Sequence, residues 1–235
     1  MSSFEAMVTV RDPYCWNKLA RFRALLPDMA ALLVLNQARL WHKHGMGTSR
    51  TPSDRSRKRL TAARLDELGL SYVARFATSR AKLTRYLSRK IRESEWVDDL
   101  DPVAACEAVA DRMERLQFLD DRQYATMRAG AMTRRGLGVR RVKAQLFVDG
   151  IAPEDSGEAI AEAEDNAMAA AVRFARRRRF GPFAVQPASD PAARERQVAA
   201  FARAGHSLAL ARRILAVPPG DEQALAALDA ETVLD

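Results

Sequence analysis

Thr133-Arg-Arg-Gly-Leu-Gly-Val-Arg-Arg-Val-Lys143 is a glycine-containing turn between two predicted helices. Two arginines precede the glycines, and Arg140 and Arg141 follow them in the first turn of the next helix. At 100° per residue, these two side chains point away from the apolar positions Val142 and Leu146. We therefore expect the arginines to be exposed and the valine and leucine to face a core. Residues 133–143 are called the arginine turn below.

Two roles fit the arginine turn. In the first, Gly136 and Gly138 allow a tight turn and close packing between helices. In the second, the turn binds an anion, because a helix N-terminus adds N–H groups and partial positive charge to those of the arginines. The segment is not a phosphate loop, since no strand precedes it and no Gly-Lys-Ser/Thr sequence ends it.

Helix start and stop signals continue on both sides of the arginine turn. Asp101-Pro102 and Asp190-Pro191 each place an N-cap aspartate before a proline at the first helical position, Asp120 opens a capping box, and Ser207 can cap the last helix. Glycines act as stops, with Gly181 ending a long Ala-rich helix; the others are Gly150 and Gly205. Helices of about 10 to 20 residues with little or no sheet predict an all-α fold.

Three segments of the chain form a loose repeat. Each has a small first residue, an apolar or small residue four positions later and a leucine eight positions later. The segments are residues 79–87, 138–146 and 207–215. A repeat this long and this approximate predicts divergent multi-helix modules stacked end to end.

The predicted helix from residue 79 to 92 has one apolar and one basic face. The apolar face holds Leu83, Tyr86, Leu87 and Ile91. The basic face, called the basic stripe, holds Lys82, Arg85, Arg89 and Arg92. Such a stripe fits phosphates or a carboxylate-rich surface, and it also fits a solvated outer face. The run from Arg176 to Arg179 closes a helix, where cations favour the helix dipole, and is interpreted as a solvated helix end.

The composition indicates a binding protein. The chain has 235 residues, 48% of them apolar, and a formal net charge of +8, which suits an anionic partner. Two cysteines and three histidines form no disulfide framework and no metal-ligand cluster, and catalytic motifs are missing. We expect no catalytic residue, cofactor or metal. No segment is long enough to span a bilayer, so we expect a cytoplasmic protein without membrane association. We also expect it to be a monomer.

The central part of the chain resembles the RecX family. The resemblance is carried by Leu116-Gln-Phe-Leu-Asp-Asp-Arg-Gln-Tyr-Ala125, by Arg134-Arg-Gly-Leu-Gly-Val-Arg-Arg-Val and by Leu146-Phe-Val-Asp-Gly-Ile151. These match an apolar-Asp-Asp-x-x-aromatic-Ala helix start, a basic Gly-x-Gly turn and a helix ending in Gly-Ile. Weaker similarity to the family's first and third modules extends the match to roughly residues 60 to 217.

The resemblance implies a fold and a partner. The fold is three tandem three-helix modules in an elongated, curved array. The partner is the RecA–DNA filament, on single-stranded or double-stranded DNA, with reduced RecA ATP hydrolysis, strand exchange and LexA cleavage in recombination, DNA repair and the SOS response. The predicted partner- or DNA-binding residues are Lys82, Arg85, Arg89, Arg92, Arg134, Arg135, Arg140, Arg141, Arg212 and Arg213. The predicted structural-turn residues are Gly136, Gly138 and Gly150.

The predicted domain plan has four parts. Residues 1–57 form an N-terminal extension and linker, poorly ordered or irregular, with Met46 as an alternative start. Residues 58–100 form module 1, residues 101–152 module 2, and residues 153–235 module 3 with a C-terminal tail. The chain departs from many relatives after Ser79, where Arg80-Ala-Lys82 stands in place of an acidic residue. The alternative function is a free-standing helical DNA-binding protein that acts without RecA.

Overall fold

The computed structural model describes residues 57–187, 190–221 and 223–224. Within these ranges the chain forms nine α-helices, one short 3-10 helix (Gly181–Phe183) and two parallel two-residue strands, β1 (Arg59–Leu60) and β2 (Glu95–Trp96). The helices are α1 (Ala62–Arg75), α2 (Arg80–Arg92), α3 (Pro102–Arg115), α4 (Asp121–Arg134), α5 (Val139–Asp149), α6 (Pro153–Asp165), α7 (Ala167–Arg178), α8 (Pro191–Ala204) and α9 (Leu208–Ala216). The predicted all-α class is confirmed.

Most helix ends follow the predicted capping residues. The side chains of Asp101, Asp120 and Ser207 accept hydrogen bonds from the amide three residues later, at 2.9, 2.8 and 3.2 Å. Gly150 and Gly205 end α5 and α8 in the left-handed conformation, with φ of +78° and +94°. These boundaries depend on local chemistry, which is why the sequence indicates them well.

The Ala-rich segment differs from its prediction as one long helix ended by Gly181. It forms two helices, α6 and α7, which meet at Asn166. The Glu162 carbonyl accepts both the Asn166 backbone amide at 3.1 Å and the Asn166 side-chain amide at 2.8 Å, so α6 ends at this residue. Helix α7 then ends at Arg179, whose φ is +55°.

The described chain divides into two compact units. The first comprises residues 57–78 and Lys82–Leu119, and the second comprises Ser79–Ala81 and residues 120 onward. In the first unit, α1, α3 and most of α2 surround one apolar core. Its fully buried members include Leu65, Val73, Leu83, Leu87 and Met113.

The second unit contains two cores. Helices α4, α5 and α6 enclose one core, which includes Tyr124, Val142 and Leu146. Helices α7, α8 and α9 enclose the other, which includes Phe174 and Phe201. The three cores therefore group the nine described helices in threes.

Each predicted boundary between modules lies one helix earlier in the chain than the point at which the helices change from one core to the next. Helix α3, placed in module 2 by the sequence, packs in the first core, and α6, placed in module 3, packs with α4 and α5. Asp101-Pro102 and Pro153 mark helix starts, but a cap does not say which core a helix joins. The predictions for the N-terminal extension and for Met46 lie outside the described residues.

Candidate functional site

The arginine turn packs against the end of helix α8. The Gly138 amide donates to the Ala204 carbonyl at 2.9 Å, and the Arg140 amide donates to the Gly205 carbonyl at 3.2 Å. These bonds join the α4–α6 group to the α7–α9 group through backbone atoms alone. The Arg140 amide is thus already used at the N-terminus of α5. The Gly138 and Arg140 amides are therefore not available to an anion, whereas the arginine side chains are exposed.

Both glycines of the turn are needed for close approach. Gly136 has φ of +73°, and a β-carbon there would lie 2.9 Å from the Phe174 nitrogen. A β-carbon on Gly138 would overlap the carbonyl group of Gly205. Such overlaps with backbone atoms cannot be relieved by a side-chain rotation. This geometry supports the packing role of the glycines.

His206 is a buried part of the same junction. Its Nε2 lies 3.2 Å from the Gly136 carbonyl oxygen, which can only accept, so Nε2 carries the proton. The ring packs between Phe174 and Phe201, with centroids 5.5 and 5.6 Å away. Nδ1 is buried and has no hydrogen-bond partner among the described residues. Burial lowers the pKa of His206 below the usual 6.5, and the hydrogen bond to Gly136 opposes this shift.

His206 should therefore make the stability of the second unit pH-dependent. Between pH 6.5 and the lower folded-state pKa, the unfolded chain binds a proton that the folded chain does not. The free energy of unfolding should fall as the pH drops through this window, by at most about 1.4 kcal/mol per pH unit. Thermal unfolding between pH 8 and pH 5 measures this loss. His206→Gln should flatten the profile, and identical profiles for both proteins would contradict the prediction.

The four arginines of the turn are all exposed, which confirms the prediction made for Arg140 and Arg141. Arg134 and Arg135 end α4, and Arg140 and Arg141 lie in the first turn of α5. The structure adds Arg177, whose guanidinium donates to the Arg135 carbonyl. The turn thus gathers cations from three helices of the second unit.

The run from Arg176 to Arg179 is tied to the third core and is not a purely solvated helix end. The guanidinium of Arg176 lies 5.0 Å from the Phe183 ring centroid. That of Arg178 lies 5.5 Å from the Phe180 ring centroid. Distances of this size allow cation–π attraction.

The remaining predicted arginines lie on other helices. Arg212 and Arg213 are exposed on α9, in the second unit. The basic stripe lies on α2 in the first unit, where Lys82 is half-buried and the other three members are exposed. The structure leaves the binding role of all these residues a prediction.

An acidic residue just beyond the basic stripe reduces its charge. Glu93 lies 3.8 Å from Arg89 and 2.8 Å from Lys90. The hydrogen bond from Lys90 lowers the pKa of this carboxyl, with a further contribution from the nearby arginines. Glu93 therefore neutralises part of the positive charge of the basic stripe.

Asp149 forms a buried polar network that the sequence analysis did not detect. Its carboxylate accepts hydrogen bonds from Tyr124 Oη at 2.8 Å and Gln145 Nε2 at 3.0 Å, and lies 3.4 Å from Arg128 Nε. Its backbone carbonyl accepts from Ser79 Oγ at 2.6 Å. This arrangement gives Ser79 a packing role. The signal for it in the sequence was an aspartate at an apolar helix position.

Gly150, the third predicted turn residue, also allows a close approach. It has φ of +78°, and a β-carbon there would overlap the β-carbon of Ala81. Both residues belong to the second unit. Gly150 therefore acts as a helix stop and as a packing position.

Comparison with known proteins identifies the family. No protein-family model matches the chain. The regulatory protein RecX of Myxococcus xanthus is 29% identical over 163 residues, which cover 67% of this chain and 87% of the relative. The regulatory protein RecX of Agrobacterium fabrum is 32% identical over 135 residues, which cover 56% of this chain and 70% of the relative. The chain belongs to the RecX family. The resemblance seen in the sequence is thereby confirmed.

Two further observations concern other kinds of site in this RecX family member. Among the described residues, no group of three or more His, Cys, Asp and Glu side chains is placed to hold a metal ion. None of the helices in the described ranges combines the length and apolar character needed to cross a bilayer.

Proposed function

We propose that this RecX family member binds the RecA–DNA filament and inhibits RecA. The inhibited activities are ATP hydrolysis, strand exchange and LexA cleavage, in recombination, DNA repair and the SOS response. The observation that carries the proposal is the 32% identity to a regulatory protein RecX over 70% of that relative. The protein acts in the cytoplasm as a monomer, by binding and without chemistry or cofactor.

The arginine turn is the contact surface that the geometry supports best. Its four guanidinium groups are exposed, while its glycines and the Arg140 amide are used to hold α5 against α8. The side chains therefore project from a backbone fixed by hydrogen bonds, which limits the entropy lost on binding. Guanidinium groups pair with both phosphates and carboxylates, the two anionic groups of a protein–DNA filament.

Reversing the charge of Arg140 and Arg141 should weaken binding to the filament. Both side chains are exposed, so the double variant Arg140→Glu/Arg141→Glu should fold. The loss of two surface ion pairs together with new repulsion should raise the concentration needed for half-maximal inhibition about tenfold. The measurement is RecA's DNA-dependent ATPase as a function of added protein.

A matched control separates the position of the charges from net charge. Arg194 and Arg196 are exposed on α8, and their reversal to glutamate changes the net charge equally. This control should inhibit RecA as the wild type does. Equal inhibition by both variants would contradict the role of the arginine turn.

A pull-down tests the proposed partner itself. The protein should be retained more strongly by RecA, single-stranded DNA and nucleotide together than by single-stranded DNA alone. Equal retention in the two cases would favour the free-standing DNA-binding function instead.

A further inference from the structure

The outward face of helix α5 carries an unusually exposed aromatic side chain. Phe147 is 84% exposed, and its neighbour Val148 is 59% exposed. Leaving a phenylalanine in water forgoes burial worth roughly 1.5–3 kcal/mol, so the fold of this unit gains little from this side chain. We therefore examine Phe147 as a residue that contacts a binding partner.

Phe147 and Val148 stand in line with the two arginines of the same helix. Residues seven apart differ by about 20° around a helix and lie about 10.5 Å apart along its axis. Phe147 thus lies in one row with Arg140, and Val148 lies in one row with Arg141. Within residues 139–149 the only acidic residue is Asp149, which is 4% exposed. The outward face of α5 is therefore cationic at its start and apolar at its end.

We propose that this face binds single-stranded DNA, with a base stacked on the ring of Phe147 and phosphates at Arg140 and Arg141. An exposed ring beside cations is the combination by which proteins hold single strands without reading sequence. The inference deepens the proposed function, since it names what one part of the arginine turn contacts in the filament.

A single strand fits this face better than a protein partner does. A stable protein–protein interface buries roughly 800 Å² on each partner around an apolar centre. The apolar part of this face consists of Phe147, Val148 and the small Ala144 between the two rows, and its remaining exposed side chains include Arg140 and Arg141. One open ring is enough for stacking on a base, and the adjacent cations then complement its phosphates.

The experiment measures binding of a fluorescent oligothymidine to the full-length chain by anisotropy, without RecA. Phe147→Ala should weaken binding about tenfold, while Phe147→Trp should retain it. The slope of log affinity against log salt should stay unchanged in Phe147→Ala. In Arg140→Gln/Arg141→Gln the slope should fall by about 1.4, or about 0.7 per phosphate. Duplex DNA keeps its bases stacked, so Phe147→Ala should not change duplex affinity.

A second phenylalanine provides the matched control. Phe76 is 49% exposed and lies in the first unit, so Phe76→Ala removes the same group elsewhere. Its affinity for oligothymidine should equal that of the wild type. Equal losses in both alanine variants, or no measurable affinity in the wild type, would overturn the inference.

Other occupants of the face give different results. If Phe147 contacts RecA, Phe147→Ala weakens inhibition of the RecA ATPase but leaves oligothymidine affinity intact. If it contacts a second copy of the chain, the variant changes the sedimentation coefficient at high concentration. Either result overturns the stacking proposal. Inhibition of RecA by the wild type is scored separately, so failure of the proposed function is distinguishable from failure of this inference.

Discussion

Replacing Gly138 with alanine should destabilise the second unit by about 3 kcal/mol, at the upper end of overpacking costs. Gly138 has φ of −81°, which alanine adopts freely, so the cost comes from space alone. The added carbon would overlap the Gly205 carbonyl group, and Gly205 is itself fixed by left-handed φ. Relief would require α5 to move away from α8, with loss of the two backbone hydrogen bonds between them. Urea unfolding followed by circular dichroism measures the change.

Gly157 provides the matched control for this substitution. It lies within α6, and a β-carbon there would meet nothing within 4 Å. Gly157→Ala should therefore stabilise the protein by about 0.5–1 kcal/mol through helix propensity. If both alanine variants shift the unfolding midpoint in the same direction, the close-packed junction is not the cause.

Replacing Asp149 with alanine should destabilise the second unit by about 3 kcal/mol. The carboxylate is buried, and its removal leaves the buried Tyr124 hydroxyl without its acceptor and Arg128 without its partner. An unpaired buried donor costs more than the hydrogen bond contributes, because it loses its water as well. The same denaturation experiment measures the loss.

Two further variants separate the contribution of the Tyr124 hydrogen bond from that of the ion pair with Arg128. Asp149→Asn keeps an acceptor for Tyr124 but removes the charge opposite Arg128. Tyr124→Phe removes only the hydroxyl and should cost about 1 kcal/mol. If Asp149→Ala is no more destabilising than Tyr124→Phe, then the ion pair with Arg128 contributes nothing.

Local features of this chain were predictable from sequence, and long-range ones were not. The caps at Asp101, Asp120 and Ser207 follow from neighbouring residues, and so do the stops at Gly150 and Gly205. The partner of Gly138 is a glycine far along the chain, and no local rule reveals it. The packing role of the turn was therefore predicted, while the surface it packs against was not.

The candidate site was predicted in part for the same reason. Helical periodicity correctly predicts that Arg140 and Arg141 are exposed and that Val142 is buried. The same periodicity places Phe147 beside Arg140, a signal that was present but not used. Asp149 and His206 are buried through tertiary contacts that periodicity does not describe. The binding roles of the arginines stay predictions until the charge-reversal experiment is done.

The contact between Gly138 and Gly205 also has a mechanical consequence. Glycines in a connecting segment usually suggest a hinge, but here they remove the atoms that would hold two helix groups apart. Bending at this joint would break backbone hydrogen bonds at Gly138 and Arg140 and open a close-packed contact. We therefore expect little bending between the α4–α6 group and the α7–α9 group at this joint. The exposed arginines of the two helix groups should then keep a constant spacing, which suits a partner whose own charges recur at regular intervals.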